Sequence, residues 1–198
     1  MLQKCNLWKI ASVFFNEPEK GHNLLSISRK TELAHTSVKN HLSTLEKLGV
    51  IEKAENEISN KPRYYYKARR ESDIFRHHKK IYNVDVLSSS GLVDHIQKSC
   101  YPSSIVLFGS FAKGEDSSGS DIDLFIGCTK TELNLEKYQF QLDRKISPMF
   151  RKDFKNLPKE LKNNIINGIV LYGFLEGYDE GEGDSRQKQG RFSKENGR

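Results

Sequence analysis

The chain has 198 residues, 36% hydrophobic and 29% charged, a composition ordinary for folded domains and long enough for one large or two small units with a real core. Its longest nearly apolar stretch, 165–175, is broken by Asn167, Gly168 and Gly173 and falls far short of the roughly 20 residues of a membrane-spanning helix. Cys5, Cys100 and Cys128 are scattered and form no CxxC pair, which argues against a disulfide scaffold or a zinc site and predicts a reducing, cytoplasmic setting. The short apolar patch near the start lacks a small-residue cleavage site, so no signal peptide is expected. The net charge of +6 resides wholly in residues 1–70, with 13 Lys or Arg against 7 Asp or Glu, while residues 71–198 carry 19 of each. That asymmetry predicts a polyanionic partner for the first third of the chain.

In chain order, Leu7, Ile10, Ala11, Phe14 and Phe15 recur at helical spacing and predict a helix over 6–15, stopped by Pro18. Further helices are expected over 26–34 and 36–48, separated by a tight turn near His35. The second of these carries an apolar stripe of Val38, Leu42, Leu45 and Leu48, with Thr36 or Ser37 as N-cap and Gly49 past its end. Two short strand-like pieces, 50–54 and 63–68, flank a polar turn containing Asn and Pro and predict a β-hairpin. Residues 69–100 read as a helical connector broken at 88–91. The run His77-His78-Lys79-Lys80 within it is expected to be a solvated basic face, because adjacent helical residues cannot share a metal. The last residues, GYDEGEGDSRQKQGRFSKENGR, are too polar to bury a core and predict a disordered charged tail over 177–198.

Helix, helix–turn–helix and hairpin, carried by SISRKTELAHTSVKNHLSTLEKLGVIEKA and a wing over 56–66, resemble the winged helix–turn–helix regulators. With Val38, Leu42 and Leu45 turned inward, Thr36, Ser37, Lys39, Asn40, Ser43 and Lys47 face outward, side chains of the length and polarity that suit base edges and phosphates in a major groove. Lys61 and Arg63 of the wing would clamp the adjacent backbone. The resemblance implies double-stranded DNA as partner. A homodimer on an inverted repeat is expected as well, since one such unit contacts few bases.

Residues 104–126 carry chemistry. An apolar strand, IVLF, runs into Gly109-Ser110 and a short helix, and a second strand, DIDLFI, follows. On a strand, residues i and i+2 share a face, so Asp121 and Asp123 project together while Ile122 and Leu124 point to the core. Paired carboxylates repel unless a hard divalent cation lies between them. Gly109 permits close backbone approach, and Ser110 offers a hydroxyl and an N–H to phosphate oxygens.

GSFAKGEDSSGSDIDLFI resembles the DNA polymerase beta nucleotidyltransferase superfamily, in its minimal branch, over about 91–175. The resemblance implies that Gly109 and Ser110 hold the phosphates of ATP or another NTP, and that Asp121 and Asp123 bind Mg²⁺ or Mn²⁺. It further implies that Ser120 orients the Asp pair and that a HEPN-type partner protein is modified, while Lys113 either helps with phosphate charge or is a solvated helix residue. In-line attack on an α-phosphorus needs charge neutralisation and an activated hydroxyl, which such metals supply. The third carboxylate usual in that superfamily is missing in register: Ser147 stands in its place, Asp143 lies four residues before and Asp153 six after, and Glu136 or Asp143 would have to reach in from elsewhere. Leu161, Ile165, Ile166, Ile169 and Val170 are expected to serve the core.

The expected architecture is α+β: a winged helix–turn–helix over 1–70, a helical connector over 71–90, a small nucleotidyltransferase α/β domain with a mixed sheet over 91–176, and the tail. Two functions remain open at this point. One is a Mg²⁺-dependent transfer of a nucleoside monophosphate to a macromolecular hydroxyl, coupled to DNA binding. The other is a nucleotide-sensing transcriptional regulator whose nucleotidyltransferase fold has lost turnover.

Overall fold

The computed structural model describes residues 5–56 and 63–175; the tail expectation and most of the wing turn, including Lys61, lie outside them. The first unit is built from α1 (Asn6–Asn16), α2 (Leu24–Thr31), α3 (His35–Lys47) and an antiparallel hairpin of β1 (Ile51–Asn56) and β2 (Arg63–Ala68). Its core is the predicted helical stripe: Ile10, Phe14 and Phe15 of α1 close on Ile27 of α2 and on Val38, Leu42 and Leu45 of α3. α2 begins two residues earlier than expected, because the Asn23 side chain accepts the Ser26 N–H (2.8 Å) and caps the helix there. Neither Thr36 nor Ser37 caps α3. Ala34 holds the cap position with no side-chain hydrogen bond, and the helix is already under way at His35. Leu48 leaves the predicted stripe and is 46% exposed, since α3 ends at Lys47 and the chain turns through Gly49 at φ +75°.

The 18-residue α4 (Asp73–Ser90) follows, ended by Gly91 at φ +78°. It serves both units. Phe75 belongs to the first core and Leu87 to the second.

The second unit comprises α5 (Leu92–Cys100), β3 (Ser104–Phe108), α6 (Gly109–Lys113), β4 (Ile122–Ile126), α7 (Glu136–Leu142), β5 (Ile146–Phe150), α8 (Lys159–Ile166) and β6 (Ile169–Gly173). The strands form one mixed sheet, ordered β5-β4-β3-β6, with β4–β5 parallel and both other pairings antiparallel. Alternation along the strands separates two apolar layers. Ile105, Leu107, Ile122, Leu124 and Ile126 pack with α4 and α5, and Val106, Phe108 and Phe125 pack with Leu157 and Ile165 on the opposite face. The expected single stripe over 161–170 does not form. α8 stops at Ile166 and turns at Gly168, where an added Cβ would come within 2.4 Å of the Leu107 carbonyl oxygen, so Ile166 and Val170 end up exposed.

The basic-face expectation fails at one residue. Lys79 is completely buried, whereas His77 and Lys80 are exposed. Burial of an ammonium demands a partner, and Asp116, itself 1% exposed, supplies it: Lys79 Nζ lies 3.2 Å from Asp116 Oδ2 and also donates to the Asp116 carbonyl oxygen.

Candidate active site

The antiparallel pairing of β3 and β4 sets Phe108 opposite Asp123, so the residue after Phe108 passes over the Asp123 side chain. Glycine is favoured there. Gly109 has φ +76°, and a Cβ on it would lie 2.3 Å from Asp123 Oδ2. Ser110 and Phe111 then enter the five-residue α6, with Lys113 exposed on its last turn. Asp121 sits immediately before β4 and Asp123 within it, two apart, and both are half-buried. The juxtaposition of Gly109 with the Asp pair, expected from the sequence, is present.

The parallel register of β4 and β5 aligns Asp123 with Ser147, which puts Ser147 on the neighbouring strand beside the pair. The Ser147 hydroxyl donates to Asp121 Oδ2 (2.9 Å), and Lys145 Nζ stands 3.2 Å from the same oxygen. The two carboxylates are consequently pushed apart in acidity. The Ser147 hydrogen bond, and next that of Lys145, hold Asp121 below the usual carboxylate range. Burial, and next the Asp121 charge, push Asp123 up. A cation between them would relieve the penalty on Asp123.

No third His, Cys, Asp or Glu joins the pair among the described residues. Glu136 and Asp143 are exposed, Asp143 capping the end of α7 in the left-handed region at φ +49°. Two carboxylates nonetheless fit Mg²⁺, a hard cation commonly held by one or two protein carboxylates while substrate phosphates and water complete its shell. Ser120 shapes the approach to the pair: its Oγ accepts the Ser117 N–H (2.9 Å) and lies 3.1 Å from Ser117 Oγ, closing the turn before Asp121.

One stretch of the chain, from α5 to β6, is similar to a known family. Residues 91–174 match the family Polymerase beta, Nucleotidyltransferase. The matched stretch starts at the Gly91 turn and ends one residue past β6. No curated protein and no solved structure matches the chain. No helix among the described residues is long and apolar enough to cross a membrane.

On the first unit, Thr36, Lys39, Asn40, Ser43 and Lys47 are exposed along α3 and Ser37 is half-buried, with Val38, Leu42 and Leu45 on the inward face. Arg63 opens β2, paired in register with Asn56. Sequence reasoning missed Lys145 and the Lys79–Asp116 pair. For Lys145, the only available signal was its position one residue before a strand that the Asp-x-Asp strand would have to neighbour.

Proposed function

We propose that the chain is a Mg²⁺-dependent nucleotidyltransferase that moves a nucleoside monophosphate from an NTP, ATP foremost, to a macromolecular hydroxyl, and that its first unit is a winged helix–turn–helix that binds duplex DNA. The observation that carries the enzymatic reading is Gly109 passing over Asp123 with Asp121 beside it. In this reading the Gly109–Ser110 turn holds the distal phosphates through the Ser110 hydroxyl and backbone N–H. Asp121 and Asp123 hold Mg²⁺, or Mn²⁺ in its place, which when bound supplies charge neutralisation at the phosphates. Lys113, exposed at the end of α6, adds positive charge at the rim, and Ser120 fixes the turn that aims Asp121. The acceptor implied by the minimal branch is a HEPN-type partner protein, in a cytoplasmic setting.

A second reading has its own support: Ser147, placed where the superfamily resemblance expects a carboxylate, donates to Asp121 instead of sharing a metal with it. On that basis the domain senses Mg-NTP without turnover and the chain is a nucleotide-responsive DNA-binding regulator. Ser147→Asp tests the register of the third acid. It adds the missing carboxylate beside Asp123, and a transferase is expected to gain about tenfold in single-turnover transfer, equivalent to about 1.4 kcal/mol in barrier. An unchanged rate in a labelled-ATP assay would mean that position 147 is not the vacant one.

The DNA reading rests on the exposed polar face of α3 and the charge excess of residues 1–70. Each phosphate contact releases condensed counterions, so affinity is expected to fall with salt at about −0.9 per contact in log–log form. Lys39→Ala should weaken binding to every sequence and flatten that slope by about one unit. Asn40→Ala should relax preference at one base pair, at a cost of about 1–3 kcal/mol. The proposed homodimer predicts an inverted-repeat site. Gel-shift titrations of the full chain against a genomic fragment library check all three, and absence of duplex binding at low salt would remove DNA as the partner.

A further inference from the structure

Helix α4 has its two ends in different cores, and between them it grips the chain that builds the nucleotide site. Near its start, Phe75 meets Phe15 with ring centroids 5.5 Å apart. Further on, Tyr82 packs against Phe15 (5.3 Å) and donates to Asn16 Oδ1 (3.0 Å). From the same helix, Lys79 and Asn83 reach into the nucleotidyltransferase domain. Lys79 pairs with the Asp116 carboxylate and donates to the Asp116 carbonyl oxygen. Asn83 Nδ2 donates both to Asp116 Oδ1 (2.8 Å) and to the Phe111 carbonyl oxygen (2.8 Å). Between these anchors Gly114 lies flat on α4, for a Cβ there would come within 2.3 Å of the Arg76 carbonyl oxygen. The helix therefore holds residues 111–116 at both ends, directly after Ser110 and five residues before Asp121. A second junction joins the same two regions: Arg144 donates to the Ser118 and Asn16 carbonyl oxygens (2.8 and 3.4 Å), and Ser118 donates to Glu19 (3.4 Å).

A buried ion pair is a poor source of stability, since apolar residues of similar volume commonly do as well or better. What this one provides is geometry. It fixes one register between α4 and the segment linking the phosphate turn to the Asp pair, and Asp116 is the residue on which both donors from α4, Lys79 Nζ and Asn83 Nδ2, converge.

We propose that Asp116, clamped by Lys79 and Asn83, is a positioning residue for the Gly109–Asp123 nucleotide site, and that through it nucleotide binding and the order of the first unit's 16–20 loop are coupled. The proposal deepens the nucleotide reading above and rests on it. Coupling of this kind is reciprocal, so whatever binds the first unit shifts nucleotide affinity by the same factor.

The test uses the full chain, Mg-ATP as probe, and hydrogen exchange read over 14–20 and 109–121. The double variant Lys79→Met/Asp116→Leu removes both charges together, leaving neither unpaired, and Asn83→Ala, which keeps the ion pair, serves where the double variant fails to fold. Saturating Mg-ATP is expected to slow exchange over 14–20 at least threefold in the wild-type chain. In either variant that protection should vanish, with Mg-ATP affinity about tenfold weaker in a chain still fully folded at the assay temperature, a split that a merely structural role would not produce. Without ligand, both segments should exchange faster together in the variants. Variants that bind Mg-ATP with wild-type affinity and retain the protection over 14–20 would overturn the proposal. Should the wild-type chain bind no Mg-ATP, the nucleotide reading and this proposal fall together, whereas wild-type binding that the variants leave unchanged overturns the proposal alone.

Discussion

Asp121→Asn combined with Asp123→Asn is expected to abolish Mg²⁺-dependent ATP binding, weakening it at least 100-fold or about 2.8 kcal/mol, while leaving the domain folded. The reason is local electrostatics. Asp123 is pushed up by burial and by the Asp121 charge, so the pair carries a repulsion that a divalent cation would remove, and the amides retain the shape without the charge that would hold the metal. Asp121 loses its charge-assisted contacts to Ser147 and Lys145, but both are at a solvated edge, where such pairs contribute little. Metal-free ATP should bind no worse to the double variant than to the wild-type chain, since two negative charges facing the phosphates are gone. Calorimetry with and without Mg²⁺ reads all of this. Undiminished Mg-ATP affinity in the double variant would remove Asp121 and Asp123 from the site.

The largest effect on stability is expected at a residue outside the recognised motif. Asp116→Ala should cost about 3–5 kcal/mol, because it leaves the Lys79 ammonium buried without its counter-charge. Such a loss is a large share of the 5–15 kcal/mol typical of a whole protein. Burial pushes the Asp116 carboxyl up and the Lys79 amine down, each opposed by the attraction between them. Neither charge gains from its surroundings alone, so Lys79→Met/Asp116→Leu, which removes both at once, should stay within about 1 kcal/mol of wild type. Urea unfolding of the three chains checks the ordering. Equal losses in the single and double variants would mean that packing volume, not charge, matters there.

How far the sequence could be read depended on whether the determining signal was local. Gly109 and the Asp pair were legible because backbone rules favour them: glycine suits a φ of +76°, and alternation sends Asp121 and Asp123 to one side. The place of Ser147 was legible too, since counting along the strand brought it to the position that the parallel pairing with Asp123 gives it. The core stripe of α1 and α3, Leu48 excepted, followed from helical spacing alone.

Capping detail was less legible. Asn23 starts α2 early through a single hydrogen bond, and Ala34 occupies the cap position of α3 although Thr36 and Ser37 are better capping residues by type. At 161–170 a helical spacing of apolar residues spans what is in fact a helix, a glycine turn and a strand, so periodicity alone was bound to fail. Lys79 shows the deeper limit. It sits in a run of four basic or titratable residues, and the carboxylate that draws it inward is 37 positions away, where no local pattern announces it.

The central claim is transfer of a nucleotidyl group at the Gly109–Asp123 site, and paired labelling tests it most directly. The full chain is incubated with host extract, Mg²⁺ and ATP labelled at either the α- or the γ-phosphate. The account predicts a macromolecule labelled from the α-position only, lost on chelation of the metal and lost in the Asp121→Asn/Asp123→Asn chain. Label arriving from the γ-position alone would identify phosphoryl transfer instead, and no label from either position would contradict a transferase and leave the nucleotide-sensing regulator as the reading that stands.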